Sequence, residues 1–137
     1  MVKVISMQDM RYLNLFQNTT RIPTKYVFSY NNTLFFCVPK NQISQAVGER
    51  GSHIKRLCEV LRRKIKVIPI PNDKTIKQFV SSIVEPVEFK ELETTNEEVL
   101  LTAGSSSKAA LIGRNKRRLL EMQKIVLDFF NKDFKII

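Results

Sequence analysis

The chain has no long apolar run. Its longest is Leu34–Val38, far short of the roughly 20 residues that a membrane helix needs, so no membrane partner is expected. Histidine occurs once, as His53, and cysteine twice, as Cys37 and Cys58. These three share no metal-ligand spacing, and the cysteines read as buried apolar side chains rather than a disulfide. A general base needs a partner and a nucleophile, and nothing in the pattern marks either one beside His53. No nucleotide-binding loop or catalytic triad is visible. The expectation is therefore a protein that is not an enzyme, with no catalytic residues, no metal and no cofactor. The first ten residues lack the basic-then-apolar order of a signal peptide, and a cytoplasmic protein is expected. Acidic residues are also scarce. Thirteen Asp and Glu face 23 Lys and Arg, for a net charge of +10, which points to a polyanionic partner.

Glycine is limited to four residues in 137, so where they fall matters. Gly48 and Gly51 bracket Glu49 and Arg50. Before them Ile43, Ala46 and Val47 sit at helical spacing. After them Ile54, Leu57, Cys58 and Leu61 do the same. Two helices, each with one apolar face, are predicted on either side of a glycine bend. Glycine permits positive φ and lets backbone come close to a ligand. The second helix is predicted to start near Gly51–Ser52, where unpaired N–H groups favour an anion, with Lys55 and Arg56 one turn further on. A helix–GxxG–helix with basic residues at that point is a phosphate cradle for a nucleic-acid strand.

Before this unit, a helix is predicted over Ser6–Thr20, with Ser6 or Asp9 as its cap and Met7, Met10, Leu13 and Phe16 on one side. Lys25–Tyr30 and Thr33–Val38 read as strands joined at Asn31–Asn32 in a tight hairpin. Their aromatic rings Tyr26, Phe28, Tyr30, Phe35 and Phe36 are read as core more readily than as base-stacking platforms. Lys64–Ile70 reads as an edge strand ended by Pro69 and Pro71. A second series then starts at Asn72–Asp73. Ile76, Phe79, Val80, Ile83 and Val84 mark an amphipathic helix stopped by Pro86. Val87–Leu92 and Val99–Ala103 read as strands around a Thr94–Glu97 turn. Gly104–Ser107 reads as turn and cap, and Lys108–Ile112 as a short helix. Gly113-Arg114-Asn115-Lys116 leads into a longer helix, and Phe134–Ile137 is a terminal strand. The order helix–strand–strand–helix–helix–strand thus occurs twice. Gly48 and Gly113 stand 65 residues apart, as do Asp9 and Lys74, and Phe35 and Leu100. An internal duplication follows, with residues 1–71 as the first copy and 72–137 as the second. Basic charge gathers in Lys40–Lys66 and Lys108–Lys124, while Glu85–Glu98 holds six Glu and one Lys and is expected to be an exposed hairpin.

Ala46–Leu57, A-V-G-E-R-G-S-H-I-K-R-L, resembles the first KH domain of NusA transcription factors, and Leu111–Lys116, L-I-G-R-N-K, resembles the second, where the usual form is I-G-R-N-G. Over nearly its full length the chain is similar to the short archaeal NusA-like proteins, which consist of two prokaryotic-type KH domains. The resemblance implies an α+β fold of tandem type II KH domains, each α-β-β-α-α-β, with three helices on one face of a three-stranded mixed sheet. It implies single-stranded RNA binding in transcription termination or antitermination, with RNA polymerase or a nascent transcription complex as a further partner. The residues it assigns to RNA are Val47, Gly48, Glu49, Arg50, Gly51, Ser52, Lys55 and Arg56 in the first copy. In the second they are Gly113, Arg114, Asn115, Lys116 and Arg117. Lys116 stands where the second glycine belongs, so the first loop is expected to grip the strand and the second to guide it by charge.

Two other readings stay open. The same fold could serve ribosomal RNA maturation or translation. Alternatively, the acidic hairpin could be the working face of a protein-interaction module. No spare heptad or large unplaced apolar stripe asks for a dimer, so a monomer is expected.

Overall fold

The computed structural model describes residues 6–137. The first five residues, part of the stretch read as leaderless, lie outside the described residues. The fold is α+β. Among the described residues are six α-helices and two three-stranded mixed sheets. Contacts divide the chain into two compact units, one ending at Ile70 and the other running from Pro71 to Ile137.

The first unit begins with α1 (Met7–Thr20). Ser6 caps it, its side chain accepting from the Asp9 N–H at 3.0 Å. Strands β1 (Tyr26–Tyr30) and β2 (Thr33–Val38) pair antiparallel, with Tyr30 opposite Thr33. Asn31 and Asn32, at φ 48° and 61°, make the two-residue turn with both central residues left-handed, a geometry that asparagine tolerates and that matches strand twist. After Pro39 and a one-turn 3-10 helix come α2 (Ile43–Val47), a second such turn at Glu49–Gly51, and α3 (Ser52–Leu61). Strand β3 (Lys64–Pro69) pairs parallel to β2, which leaves it at an edge.

Alternation along the strands sends Val27, Leu34, Phe36, Val38 and Ile65 to one sheet face, where they pack with Phe16 of α1, Ala46 of α2 and Leu57 of α3. Phe16 stacks on Phe36 with centroids 4.4 Å apart. Phe28 and Phe35, directly paired, stack at 5.1 Å on the opposite face. Of the five rings in the hairpin, Phe28, Tyr30, Phe35 and Phe36 are buried, as the core reading expected. Cys37 is buried and Cys58 half-buried, and both are free thiols. The first turn of α1 stays outside the core: Met7 and Met10 are exposed, whereas Tyr12 and Leu13 pack against it and Phe16 is buried.

The second unit repeats the order. It comprises α4 (Ile76–Val84), β4 (Glu91–Thr94), β5 (Glu98–Thr102), α5 (Ser105–Ile112), a 3-10 turn at Arg114–Lys116, α6 (Arg117–Phe130) and β6 (Asp133–Ile136). Strands β4 and β5 pair antiparallel, and β6 joins β5 in parallel. The apolar side of α4 is buried at Ile76, Phe79, Val80, Ile83 and Val84, and Phe79 meets Phe129 and Phe130 of α6 at 5.0 and 5.7 Å. Two boundaries differ from the sequence reading by more than two residues. β4 begins at Glu91 rather than Val87, because its partner ends at Thr102 and leaves residues 87–89 nothing to pair with. α5 begins at Ser105 rather than Lys108, its first turn closed by the Lys108 N–H to the Gly104 carbonyl at 2.7 Å. The duplication also shifts. The paired strands β1 and β4, β2 and β5, and the helices after the bend, α3 and α6, start 65 residues apart, but Lys64 and Asp133, which open β3 and β6, stand 69 apart. The difference is one helical turn, since α3 has 10 residues and α6 has 14.

Candidate nucleic-acid interface

Each unit turns a glycine bend between its second and third helices, and the two bends follow the same backbone track. Gly48 has φ 83°, ψ 168° and Gly113 has φ 75°, ψ 174°. Two residues on, Arg50 has φ 55°, ψ 29° and Asn115 has φ 57°, ψ 28°. Next come Gly51 at φ 72°, ψ 22° and Lys116 at φ 60°, ψ 21°. The hydrogen bonds repeat as well. The first glycine donates to the carbonyl of Ser44 or Ala109 at 3.0 Å, and the last loop residue donates back to the first glycine at 3.1 or 3.2 Å.

Lys116 therefore holds the left-handed conformation that Gly51 holds, and losing the second glycine does not change the bend. What changes is the space in front of it. A Cβ built on Gly51 meets nothing within 4 Å. The bare backbone there faces open space, while the second bend carries a lysine side chain instead. Strain is also distributed differently. The left-handed region costs an ordinary residue about 1–2 kcal/mol, less for asparagine and nothing for glycine. The first bend places that cost on Arg50 and the second on Lys116.

The first glycine of each bend has a different reason to be there. A Cβ on Gly48 would lie 2.7 Å from Ser52 Oγ and 2.8 Å from His53 Cγ; one on Gly113 would lie 3.0 Å from Arg118 Cγ. These are packing glycines, pressed by side chains from the helix that follows. Those side chains reach back across the bend. His53 Nδ1 donates to the Gln45 carbonyl at 3.0 Å, and Arg118 Nη1 donates to the Ala110 carbonyl at 3.0 Å. In both copies the donor stands five residues after the first glycine and the acceptor three before it. Sequence reasoning weighed His53 only as a lone metal-ligand or general-base candidate and took in Arg118 only as part of the basic stretch Lys108–Lys124. Their shared offset from the glycines is the signal that could have identified them.

Around the first bend, Val47 closes α2 half-buried, Glu49 and Arg50 are exposed, Ser52 opens α3, and Lys55 and Arg56 are exposed along it. Around the second, Arg114, Asn115, Lys116 and Arg117 are all exposed. Gly51 and Lys116 stand at the N-caps of α3 and α6, and no side chain caps either helix. The N–H groups of Ser52 and Arg117 bond back to the Glu49 and Arg114 carbonyls; the next N–H groups of each helix have no side-chain cap, and the helix dipole favours negative charge there. Beside α6 lies a cleft of about 370 Å³, lined by Gln123, Lys124 and Leu127 of the helix and Asp133, Phe134 and Lys135 of the edge strand β6. Its apolar lining is Leu127 and the buried Phe134, and its charged lining is Lys124, Asp133 and Lys135. Lys135 Nζ lies 2.8 Å from Glu98 Oε2; that hydrogen bond, with the carboxylate charge behind it, raises the lysine pKa above its ordinary 10.5.

Among the described residues, no group of three or more His, Cys, Asp or Glu could hold a metal ion, and no helix is long and apolar enough to cross a membrane. No family model and no curated protein matches the chain. The crystal structure of APE1850 is similar in fold, with a TM-score of 0.65 and 22% identity over 97% of this chain and 99% of that one.

Proposed function

We propose that the chain is a single-stranded RNA-binding accessory factor of transcription termination or antitermination, built from two type II KH units. The observation that carries this reading is the repeated bend: the same left-handed track, twice, each time at the uncapped start of a helix beside exposed basic side chains. Such a bend suits the sugar-phosphate backbone of a flexible strand. Backbone N–H groups and arginine donors hold phosphate oxygens while bases turn aside into a neighbouring apolar groove. The net charge of +10 supports a polyanion. Glu49, exposed beside Arg50 in the first bend, would point away from phosphate or accept from a base edge. The transcriptional role rests on the sequence resemblance of Ala46–Leu57 and Leu111–Lys116 to NusA KH repeats, and RNA polymerase or a nascent transcription complex is the partner it suggests.

The test is fluorescence anisotropy with labelled single-stranded RNA against a duplex of equal length, across a salt series. Preference for the single strand, weakening as salt rises, supports the reading; equal or tighter binding to the duplex overturns it. Sequencing of RNAs crosslinked to the protein in cells then separates the roles. Enrichment of transcript 3′ ends favours termination, and enrichment of precursor ribosomal RNA overturns the transcriptional assignment.

A further inference from the structure

We propose that His53 and Arg118 are positioning residues, each a staple that holds its bend in the left-handed track a strand must meet. The consequence for affinity rests on the RNA-binding reading; the staple itself does not. The two residues occupy the same place in the repeat but differ in chemistry, imidazole in one and guanidinium in the other. They nonetheless make the same bond, at 3.0 Å, to the carbonyl three residues before the first glycine. Each also crowds that glycine: a Cβ would stand 2.8 Å from His53 Cγ at Gly48 and 3.0 Å from Arg118 Cγ at Gly113. A side chain at this point therefore ties the first turn of the later helix to the end of the earlier one, across the bend.

The bend needs such a tie. Arg50 at φ 55° and Lys116 at φ 60° are ordinary residues in a region they disfavour, and that conformation persists only where the surroundings over-determine it. The local hydrogen bonds inside the bend, Gly51 N–H to Gly48 O and Lys116 N–H to Gly113 O, are long at 3.1 and 3.2 Å. With the staple cut, Arg50 is free to return to the right-handed region, and the N–H groups at the start of α3 lose their common direction. The two staples are not equal in charge. Arg118 brings a permanent cation to the second bend, where one of its five N–H donors is spent on Ala110. His53 gives the first bend the same tie without a permanent charge, leaving the positive potential there to Arg50, Lys55 and Arg56.

The experiment compares His53→Ala and His53→Arg in the full chain, the second being the solution already used at Arg118. Amide hydrogen exchange, read residue by residue by NMR without RNA, reports the bend. In His53→Ala, exchange at Gly51 should accelerate by about three- to tenfold, the loss of one net hydrogen bond, while Val126 in the second unit keeps its rate. In His53→Arg, Gly51 should return to the wild-type rate. RNA affinity should follow the same order, falling by about three- to tenfold in His53→Ala and recovering in His53→Arg. Unchanged exchange at Gly51 in His53→Ala overturns the staple. Restored exchange with unrestored affinity in His53→Arg supports the staple but overturns its consequence for RNA, because the imidazole would then itself be touching RNA. If the wild-type chain binds no single-stranded RNA, the functional reading fails, and the exchange rates still decide the staple.

Discussion

Gly48 and Gly51 lie three residues apart in one bend, yet the same substitution should act on them through different physics. For Gly48→Ala, the φ 83°, ψ 168° conformation belongs to a region almost reserved for glycine, at a cost of about 1–3 kcal/mol. The new methyl would also stand 2.7–2.9 Å from Ser52 Oγ and the His53 ring. Ser52 can rotate away, but His53 can yield only by giving up its bond to Gln45, and forced repacking of this kind costs about 1–3 kcal/mol. Against this, the unfolded chain loses freedom worth about 0.4–1 kcal/mol. The net destabilisation is about 1–5.5 kcal/mol. For Gly51→Ala there is no collision. The left-handed cost of about 1–2 kcal/mol is partly offset by the same unfolded-state gain, leaving a loss of about 0–1.6 kcal/mol. Urea unfolding read by circular dichroism should therefore show a large fall in midpoint for Gly48→Ala and a small one for Gly51→Ala, with unchanged slope. RNA affinity should single out Gly51. Its alanine variant stays folded but places a methyl where the strand's backbone must approach, and affinity should fall about tenfold or more, the loss of one charge-assisted hydrogen bond. Equal destabilisation by the two substitutions would refute the assignment of packing to Gly48 and open space to Gly51. Full affinity in Gly51→Ala would refute the claim that the strand occupies that space.

Replacing Glu49 and Arg50 together by aspartates should weaken RNA binding while leaving the thermal midpoint within a few degrees of wild type, since both side chains are exposed; anisotropy and calorimetry check the pair. Arg114→Ala and Lys116→Ala should each make the log–log salt slope shallower by about 0.7 if each side chain neutralises one phosphate of a single strand, and an unchanged slope in both would remove the second bend from the interface. Lys135 should stabilise the second unit in a defined pH window. Its pKa is raised chiefly by the hydrogen bond to Glu98, so its contribution is fully present below the unfolded lysine value and is lost as pH rises through the higher folded one. The stability difference between wild type and Glu98→Gln should accordingly be flat through neutral pH and shrink above 10.5; a difference that instead grows there would contradict the pairing.

Much of this fold was legible where one local rule acted alone. Asn31–Asn32 announced a left-handed turn because few other residues accept it, and Ile76–Val84 announced a helix because its spacing matches no other period. Reading failed where a boundary depends on something distant in sequence. Val87–Lys90 alternates like a strand, but strand length is set by the partner, which ends at Thr102. Met7 and Met10 share a side of α1 with Leu13 and Phe16, but spacing does not say how far along the helix its neighbours reach. The candidate site divides in the same way. The bends were visible from their glycines and basic residues. The doubt raised by Lys116 was not resolvable, because whether a lysine accepts φ 60° depends on what holds it there. The staples were hidden because imidazole and guanidinium look unrelated until a shared carbonyl acceptor shows them making one bond.

The extra turn of α6 bears on how the two halves of the gene could exchange material. Four residues advance a helix by about 400°, only some 40° past a full rotation. A recombinant that swaps the segment after the bend would lengthen or shorten the rod by about 6 Å and still present almost the same flank to the sheet. Loss of two residues would instead turn the rod by roughly 200° and bring its wet flank inward. Helix geometry thus tolerates whole-turn differences between the two units, and the third helices, which start 65 residues apart but lead to last strands 69 apart, differ by one such turn.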